Sequence, residues 1–307
     1  MTEKLVSVIV PAFNVERFIG KALASVRSQT YQNWEVIVTN DGGTDGAARI
    51  ISEFARQTAR NVLLLQHDQS QGPSAARNTA MKAAQGEYIA FLDADDIWMP
   101  EHLDSLFSVL ASGKADLAYS DGCVFRETPS GDIELLPIDT IEVKNPPQDL
   151  FRRNFINTSA AAITRRLMEK VGSFDVSLSY GEELDYWIRA AALGFQIART
   201  GKQTYYYRKS ASSLSAASAK MAESSGRMLE KHRHCGILPE REIVAKARGS
   251  YFAAGKMYWR EDAATARRMF YKSWTFDKFR VLPLLYSFMA AGLSLIQTNR
   301  SKERAAH

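Results

Sequence analysis

The sequence predicts an α/β fold with a mostly parallel central sheet, followed by a helical C-terminal extension. Three observations predict it. Short apolar runs alternate with helix-periodic segments through the first hundred residues, in the order β-α-β-α-β-α-β. Strand signals stop near residue 215, and helical periodicity fills the remainder. The chain is 46% hydrophobic, with five Trp, twelve Tyr and fifteen Phe, which supports a sizeable core and argues against disorder. The expected division is a domain over residues 1–215 and a helical extension over 216–307.

Leu5 to Val10 reads as a buried strand and runs into Pro11-Ala-Phe-Asn14. Arg17 to Gln29 places Phe18, Ile19, Ala22, Leu23 and Val26 on one helical face. Trp34 to Thr39 is a second strand, leading into Asn40-Asp-Gly-Gly-Thr-Asp45. The glycine pair makes a turn there, and Thr44 is expected to cap a helix over about 46–58. Val62 to Gln66 is a third strand. Pro73 sits near the first turn of the next helix, whose face is largely alanine and so permits close packing on a sheet. Tyr88 to Leu92 is the fourth strand.

Past Pro100 the rhythm changes. A helix over about 101–112 leads to a strand at 117–119, then a hairpin over 122–136 around Pro129-Ser-Gly131. A connection at 141–147, a short helix at 150–155 and a strand at 160–164 follow. Ser179-Tyr-Gly-Glu-Glu-Leu-Asp185 opens a helix to about Leu193. Two strands are expected at 197–199 and 204–208, then a Ser/Ala-rich loop over 211–219. Four helices, near 220–234, 240–260, 263–275 and 282–297, complete the chain.

Charge and cysteine content bound the function. Net charge is +5, yet residues 1–240 carry 26 basic and 29 acidic side chains, and residues 241–307 carry 13 and 5. The main body is mildly acidic. The basic tail can face anionic lipid or nucleic acid, or can simply be solvated helix faces; no nucleic-acid partner is expected. Cys123 and Cys235 offer neither a disulfide framework nor metal-ligand spacing, which fits a reducing compartment. Leu5 to Val10 is too short for a signal peptide, so a cytoplasmic location is expected.

Chemistry concentrates in Gly86-Glu-Tyr-Ile-Ala-Phe-Leu-Asp-Ala-Asp-Asp-Ile-Trp98. A buried strand here ends in Asp93, Asp95 and Asp96. Carboxylates at that place are costly without a partner. The C-terminal end of such a strand is where open α/β sheets bind ligands. Two carboxylates at i, i+2 can hold a hard divalent cation that keeps open positions for phosphate oxygens. The plainer alternative is a solvated acidic turn in which Asp96 or a neighbour caps a helix from Pro100.

Four further segments accompany that one: Val8-Ile-Val-Pro-Ala-Phe-Asn14, Asn40-Asp-Gly-Gly-Thr-Asp45, Gly72-Pro-Ser-Ala-Ala-Arg-Asn78 and Gly181-Glu-Glu-Leu-Asp-Tyr-Trp187. In this order and spacing the chain resembles family 2 glycosyltransferases of the GT-A fold over roughly residues 5–215. The resemblance implies transfer of a sugar from a nucleoside diphosphate sugar to an acceptor, with inversion at the anomeric carbon. It implies that Asp41 accepts a hydrogen bond from the N3–H of uracil or thymine, with Pro11, Ala12 and Asn14 lining the same slot. Arg77 and Asn78 lie near the pocket in the family pattern. By the same resemblance Asp93 contacts ribose and Asp95 ligates Mg²⁺ or Mn²⁺ between the phosphates. Asp96 more naturally supports the loop.

An acceptor hydroxyl loses a proton as it attacks, and a carboxylate can take it. The family commonly has Glu-Asp where this chain has Glu182-Glu183, with the second residue as base. Glu183 is therefore the first candidate and Glu182 the second. The departure lengthens the side chain by one methylene. Asp185 fits a helix N-terminus through its dipole. Tyr207-Arg-Lys-Ser210 resembles a family element that often reads Tyr-Arg-x-His. Ser210 at the His position puts a third protein ligand in doubt, and Arg208 and Lys209 could pair with phosphate oxygens instead. The Ser-rich segment after it could order over the donor as a lid. The Gln-x-x-Arg-Trp element of processive synthases is absent, so single-sugar addition is expected, on a growing surface glycan or lipid-linked acceptor.

Two alternatives compete. A sugar nucleotidyltransferase would want a Gly-rich, basic phosphate loop after the first strand, which Pro11-Ala-Phe-Asn14 lacks. A non-catalytic nucleotide-sugar-binding relative is kept open by Glu183 and Ser210. Elsewhere, His232, His234 and Cys235 make a poor metal site at one helix end, and Trp259, Phe270, Tyr271, Trp274 and Phe276 read as helix packing. Val281 to Ile296 falls short of the ~20 residues a spanning helix needs. It is either packed on the protein or lies at the inner face of a membrane as a peripheral contact.

Overall fold

The computed structural model describes residues 4–127, 133–136, 142–209, 219–259 and 261–291. The chain divides into two units, Met1–Val176 with Glu182–Ser210, and Ser177–Gly181 with Ala211–His307.

The first unit opens with β1 (Val6–Ala12), α1 (Glu16–Arg27), β2 (Trp34–Asp41), α2 (Ala47–Gln57), β3 (Val62–His67), α3 (Pro73–Ala83) and β4 (Tyr88–Phe91). β2 and β4 are buried along their whole length, and β1 nearly so, which explains why they read as unbroken apolar runs. They pair in parallel in the order β3-β2-β1-β4. The strand order reverses beside β1, so a crevice forms at the C-terminal ends of β1 and β4.

The second half of this unit adds β5 (Ile97–Trp98), α4 (His102–Leu110), β6 (Leu117–Glu127), β7 (Ile133–Leu136), α5 (Pro146–Asp149), β8 (Ala161–Thr164), α6 (Arg165–Val171), α7 (Glu182–Ala192) and β9 (Ile197–Arg208). β8 lies antiparallel between β4 and β6, and β9 runs parallel to β6 on its other side. The sheet continues as β4-β8-β6-β9-β5, with β7 on β6.

Several elements differ from the sequence expectation. The two strands expected over 197–208 are one, because β9 follows β6 through a register shift near Asp121. β5 and α6 carry too few residues to show a period. The expected short helix at 150–155 is not formed; the helical turn is Pro146–Asp149, partly within the expected connection at 141–147, where Pro146 pre-sets the first turn. Thr44 does not cap α2; Asp45 Oδ1 accepts from Ala47 N at 3.2 Å instead. The hairpin is present as β6 and β7, while its turn at 129–131 lies outside the described residues. The Ser-rich segment lies outside them too, except for Ala219, and Ser210 is also outside.

The second unit contains α8 (Ala219–Lys231), α9 (Glu240–Tyr258), α10 (Ala263–Thr275) and a helical stretch over 281–291. Gly255 is required where α9 meets α10, since a Cβ there would lie 2.7 Å from the Phe270 ring. Phe270 is fully buried and packs against Phe252, Trp259 and Tyr286, so much of the aromatic stripe is helix packing. His234 pairs with Glu240 at 3.2 Å. On the last helix Pro283, Ser287 and Ala290 are buried, while Val281, Leu282, Leu285, Phe288 and Met289 are exposed. Among the described residues no helix is long and apolar enough to cross a membrane.

Candidate functional site

The site gathers where β1, β2 and β4 end. Register places Asp41 opposite His67 of β3. Asp41 is 2% exposed, and its carboxylate accepts from Ser70 Oγ at 2.8 Å, Gln71 N at 3.0 Å and Gly72 N at 2.8 Å, with His67 Nδ1 at 2.6 Å. Burial pushes this carboxyl up, but these donors outweigh it and hold it below the usual carboxylate range. With the proton on Nδ1, His67 Nε2 accepts from the Thr79 hydroxyl at 2.9 Å. Asp41 thus ties the 67–72 loop to β2. Gly42 permits that closeness: its φ is +74°, and a Cβ would meet the Gln69 backbone at 2.6 Å.

The loops after β1 and β2 are joined. Asn14 adopts a left-handed φ of 51°, which asparagine tolerates, and its Oδ1 accepts from Thr44 N at 3.1 Å. Asp45 accepts from Glu16 N at 2.7 Å, and Asn40 spans Gly43 and Gln66. Pro11 is half-buried and Ala12 buried at the end of β1. Together these contacts tie the ends of β1 and β2 to one another.

Arg77, on α3, is 4% exposed and bridges two carboxylates. Nη2 donates to Asp93 at 2.7 Å and Nη1 to Glu182 at 2.9 Å. Its guanidinium lies 5.6 Å from the Phe174 ring centre. The family pattern puts Arg77 near the pocket; in the structure both its terminal nitrogens are engaged by protein carboxylates. Asn78 likewise is structural, exchanging two hydrogen bonds with the Phe174 backbone.

The acidic loop is short of positive charge. Burial and the Asp93 charge push Asp95 up to about 6. Asp96 is 1% exposed and pushed up by burial, then by Asp93 and Asp95. Its Oδ1 accepts from Arg208 N at 2.8 Å, while Oδ2 is buried without a partner. Asp96 therefore holds β9 rather than capping a helix. Arg208 spends its side chain on the Asp95 carbonyl at 2.8 Å and on Glu127 at 3.0 Å, stacked between Phe18 and Phe125, with Nη2 left buried and unpartnered. Among the described residues no three His, Cys, Asp or Glu side chains converge to hold a cation unaided. A cation fits this loop only if a ligand's oxygens complete its shell.

Glu182 and Glu183 begin α7 and face different neighbours. Glu182 is 8% exposed and committed to Arg77. Glu183 lines a cleft of 370 Å³, with Tyr119, Asn154, Phe155, Tyr205 and Tyr207 among its walls. Burial first, and the adjacent Glu182 second, push its carboxyl up to about 7. Asn154 Nδ2 donates to its Oε1 at 2.8 Å. Asp185 stands in the first turn of α7, as its dipole reading expects, and is also fully buried and paired with Arg189 at 2.9 Å. Sequence reasoning missed His67, Asn154 and Glu127, none of which stands in a motif.

Comparison with known proteins follows this geometry. The family model described as Glycosyl transferase family 2 matches residues 7–168, more than half of the chain. The Escherichia coli UDP-Glc:alpha-D-GlcNAc-diphosphoundecaprenol beta-1,3-glucosyltransferase WfgD is 37% identical over 121 residues, 39% of this chain and 47% of WfgD. WfaP of Escherichia coli, named for the same activity, is 27% identical over 217 residues, 69% of this chain and 80% of WfaP. The matched part thus spans about half of the first relative. Among solved structures, S. aureus TarS 1–349 in complex with UDP-GlcNAc superposes with a TM-score of 0.65 at 16% identity, covering 89% of this chain and 81% of that one. Mannosyltransferase PcManGT from Pyrobaculum calidifontis, in complex with GDP-Man and Mn²⁺, gives 0.59 at 18% identity, covering 94% and 86%. These likenesses show the fold, which is GT-A. With the match running from the start of β1 into α6, the chain belongs to glycosyl transferase family 2.

Proposed function

We propose that the chain transfers a sugar from a uridine or thymidine diphosphate sugar to a hydroxyl of a glycan or lipid-linked acceptor, with inversion at the anomeric carbon. The observation that carries this reading is the separation of two neighbouring glutamates. Glu182 is consumed by Arg77, and Glu183 opens on the cleft with its carboxyl near 7. A general base works best with a pKa near the working pH.

In this reading the acceptor enters on the Glu183 side. Glu183 takes the hydroxyl proton as the oxygen attacks the anomeric carbon. The bond from that carbon to the diphosphate breaks on the opposite face, and its electron pair leaves with the nucleoside diphosphate. The base lies over Pro11, Ala12 and Asn14, and the ribose meets Asp93. Asp41 first builds the slot; it takes a base N3–H by giving up the Ser70 hydroxyl. Arg77 acts on the donor through Asp93. Asp95 is the residue to hold Mg²⁺ or Mn²⁺, with Asp96 and Arg208 shaping the loop behind it. A bound cation supplies positive charge to the leaving diphosphate.

The names of WfgD and WfaP, a UDP-Glc donor and a diphosphoundecaprenol acceptor, support a lipid-linked acceptor here. A cytoplasmic enzyme touching the inner face of the membrane through the helix over 281–291 fits such an acceptor. The exposed apolar side chains of that helix support the contact, beside exposed Lys278 and Arg280. The division into a catalytic unit and a helical unit then separates chemistry from attachment.

The test is Glu183→Gln. Release of UDP from UDP-glucose or UDP-GlcNAc falls by at least 100-fold while UDP binding with Mn²⁺ stays unchanged. Unchanged turnover would reject the base assignment.

A further inference from the structure

Glu183 stands where the family commonly has the shorter aspartate, so its carboxylate has one more rotatable bond to lose before it can work. Something must hold it, and the loop before β8 supplies a holder. Asn154 Nδ2 lies 2.8 Å from Glu183 Oε1. The amide cannot be turned the other way without loss, because Ile156 N donates to Asn154 Oδ1 at 3.3 Å. The same loop is fastened to α7 a second time: Trp187 Nε1 donates to Ile156 O at 3.1 Å. Glu183 and Trp187 are one helical turn apart and lie on one face of α7. Ile156 and Trp187 are both fully buried.

We propose that Asn154 is a positioning residue for Glu183, pinning Oε1 and leaving Oε2 to face the cleft. The catalytic side of this statement rests on Glu183 being the base; the tether itself does not. The bond favours the ionised carboxylate, since a donor stabilises the charged form more than the neutral one. It therefore opposes the other groups that raise Glu183. Those are Glu182 on its own helix and Asp93 beyond β4, while Arg77 on α3 acts in the same sense as Asn154 and the neutral Tyr207 of β9 also lies close by.

The experiment is a titration of ¹³C-labelled glutamate carboxyls by NMR in the full chain, with Glu183 assigned by its loss in Glu183→Gln. Asn154→Ala raises the Glu183 midpoint by about one pH unit. Asn154→Asp keeps the shape and the Ile156 contact but swaps a donor for a second negative charge, so it raises the midpoint further. A loop that merely packs would leave the Asn154→Ala midpoint within about 0.2 of the parent, and that result overturns the proposal. If Asn154→Ala does not fold, Asn154→Ser, which stays polar but is too short to reach Oε1, takes its place with the same two outcomes. UDP binding with Mn²⁺, read by calorimetry, stays within about twofold in both variants, a change of ~0.4 kcal/mol. Turnover of UDP-glucose or UDP-GlcNAc separates the two ideas. A shifted midpoint with Glu183→Gln still active leaves the tether standing and rejects the base. An unshifted midpoint with Glu183→Gln inactive does the reverse.

Discussion

Replacing Glu183 by Gln should stabilise the protein above neutral pH. The carboxyl is carried by burial and by Glu182 from 4.5 in the unfolded chain to about 7 in the folded one. A folded-state value above the unfolded one means that the folded protein prefers the protonated form. Stability from this group is fully present below about pH 4.5 and is lost as pH rises to 7. At pH 8 the folded state carries a buried charge whose cost is roughly 3 kcal/mol, the energy equivalent of that displacement. Gln keeps the volume and the acceptor for Asn154 and carries no charge. The assay is urea denaturation of both proteins at pH 5 and pH 8, comparing midpoints at equal slopes. The variant should gain about 1 kcal/mol or less at pH 5 and roughly 3 kcal/mol at pH 8. A gain that is the same at both pH values, or a loss at pH 8, would refute the reasoning.

Other consequences are equally direct. Transfer should rise with pH through about 7, since only ionised Glu183 accepts the proton; a flat kcat/KM profile from pH 5.5 to 8 contradicts that. Arg77→Leu strands two carboxylates and should cost about 3–5 kcal/mol in denaturation, and a loss under about 1 kcal/mol would show the bridge to be incidental. Asp95→Ala should abolish the Mn²⁺-dependent part of UDP binding in calorimetry and leave the metal-free part in place. The pair Leu285→Ser and Phe288→Ser should lower binding to phosphatidylglycerol vesicles at least tenfold, from roughly 1.5–3 kcal/mol per side chain withdrawn. Flotation unchanged by that pair would remove the membrane reading.

The parallel half of the fold was legible because β1, β2 and β4 are buried on both faces and its helices carry a clear period. The second half was harder for definite reasons. β9 contains Thr200-Gly-Lys202, polar residues that look like a turn; they form a bulge with Gly201 at a φ of +73°, and the strand continues because pairing with β6 resumes at Gln203. β5 is two residues long and exists only through its pairing with Tyr205 and Tyr206. At the site, the acidic loop and Glu183 were visible as motifs. The work of Arg77 was not, since its partners stand 16 and 105 residues away. Asn154 was invisible for the same reason: its importance lies in what the fold brings beside it. Asp41 shows a further limit. A motif marks where a carboxylate sits but not that its oxygens are already engaged.

Arg77 also sets a distance. Its two terminal nitrogens share one rigid plane, one facing the strand-end carboxylate Asp93 and the other facing Glu182 at the start of α7. The loop after β4 and the helix that carries Glu183 are therefore gauged against each other by a spacer that does not stretch. A lysine would balance the charge, yet a single nitrogen on a flexible stem would gauge nothing. A displacement of either carboxylate is handed across to the other instead of being absorbed between them. If acceptors enter this cleft as proposed, those of different girth have to be accommodated on the side where Tyr119, Phe155, Tyr205 and Tyr207 stand, because the inner span is fixed.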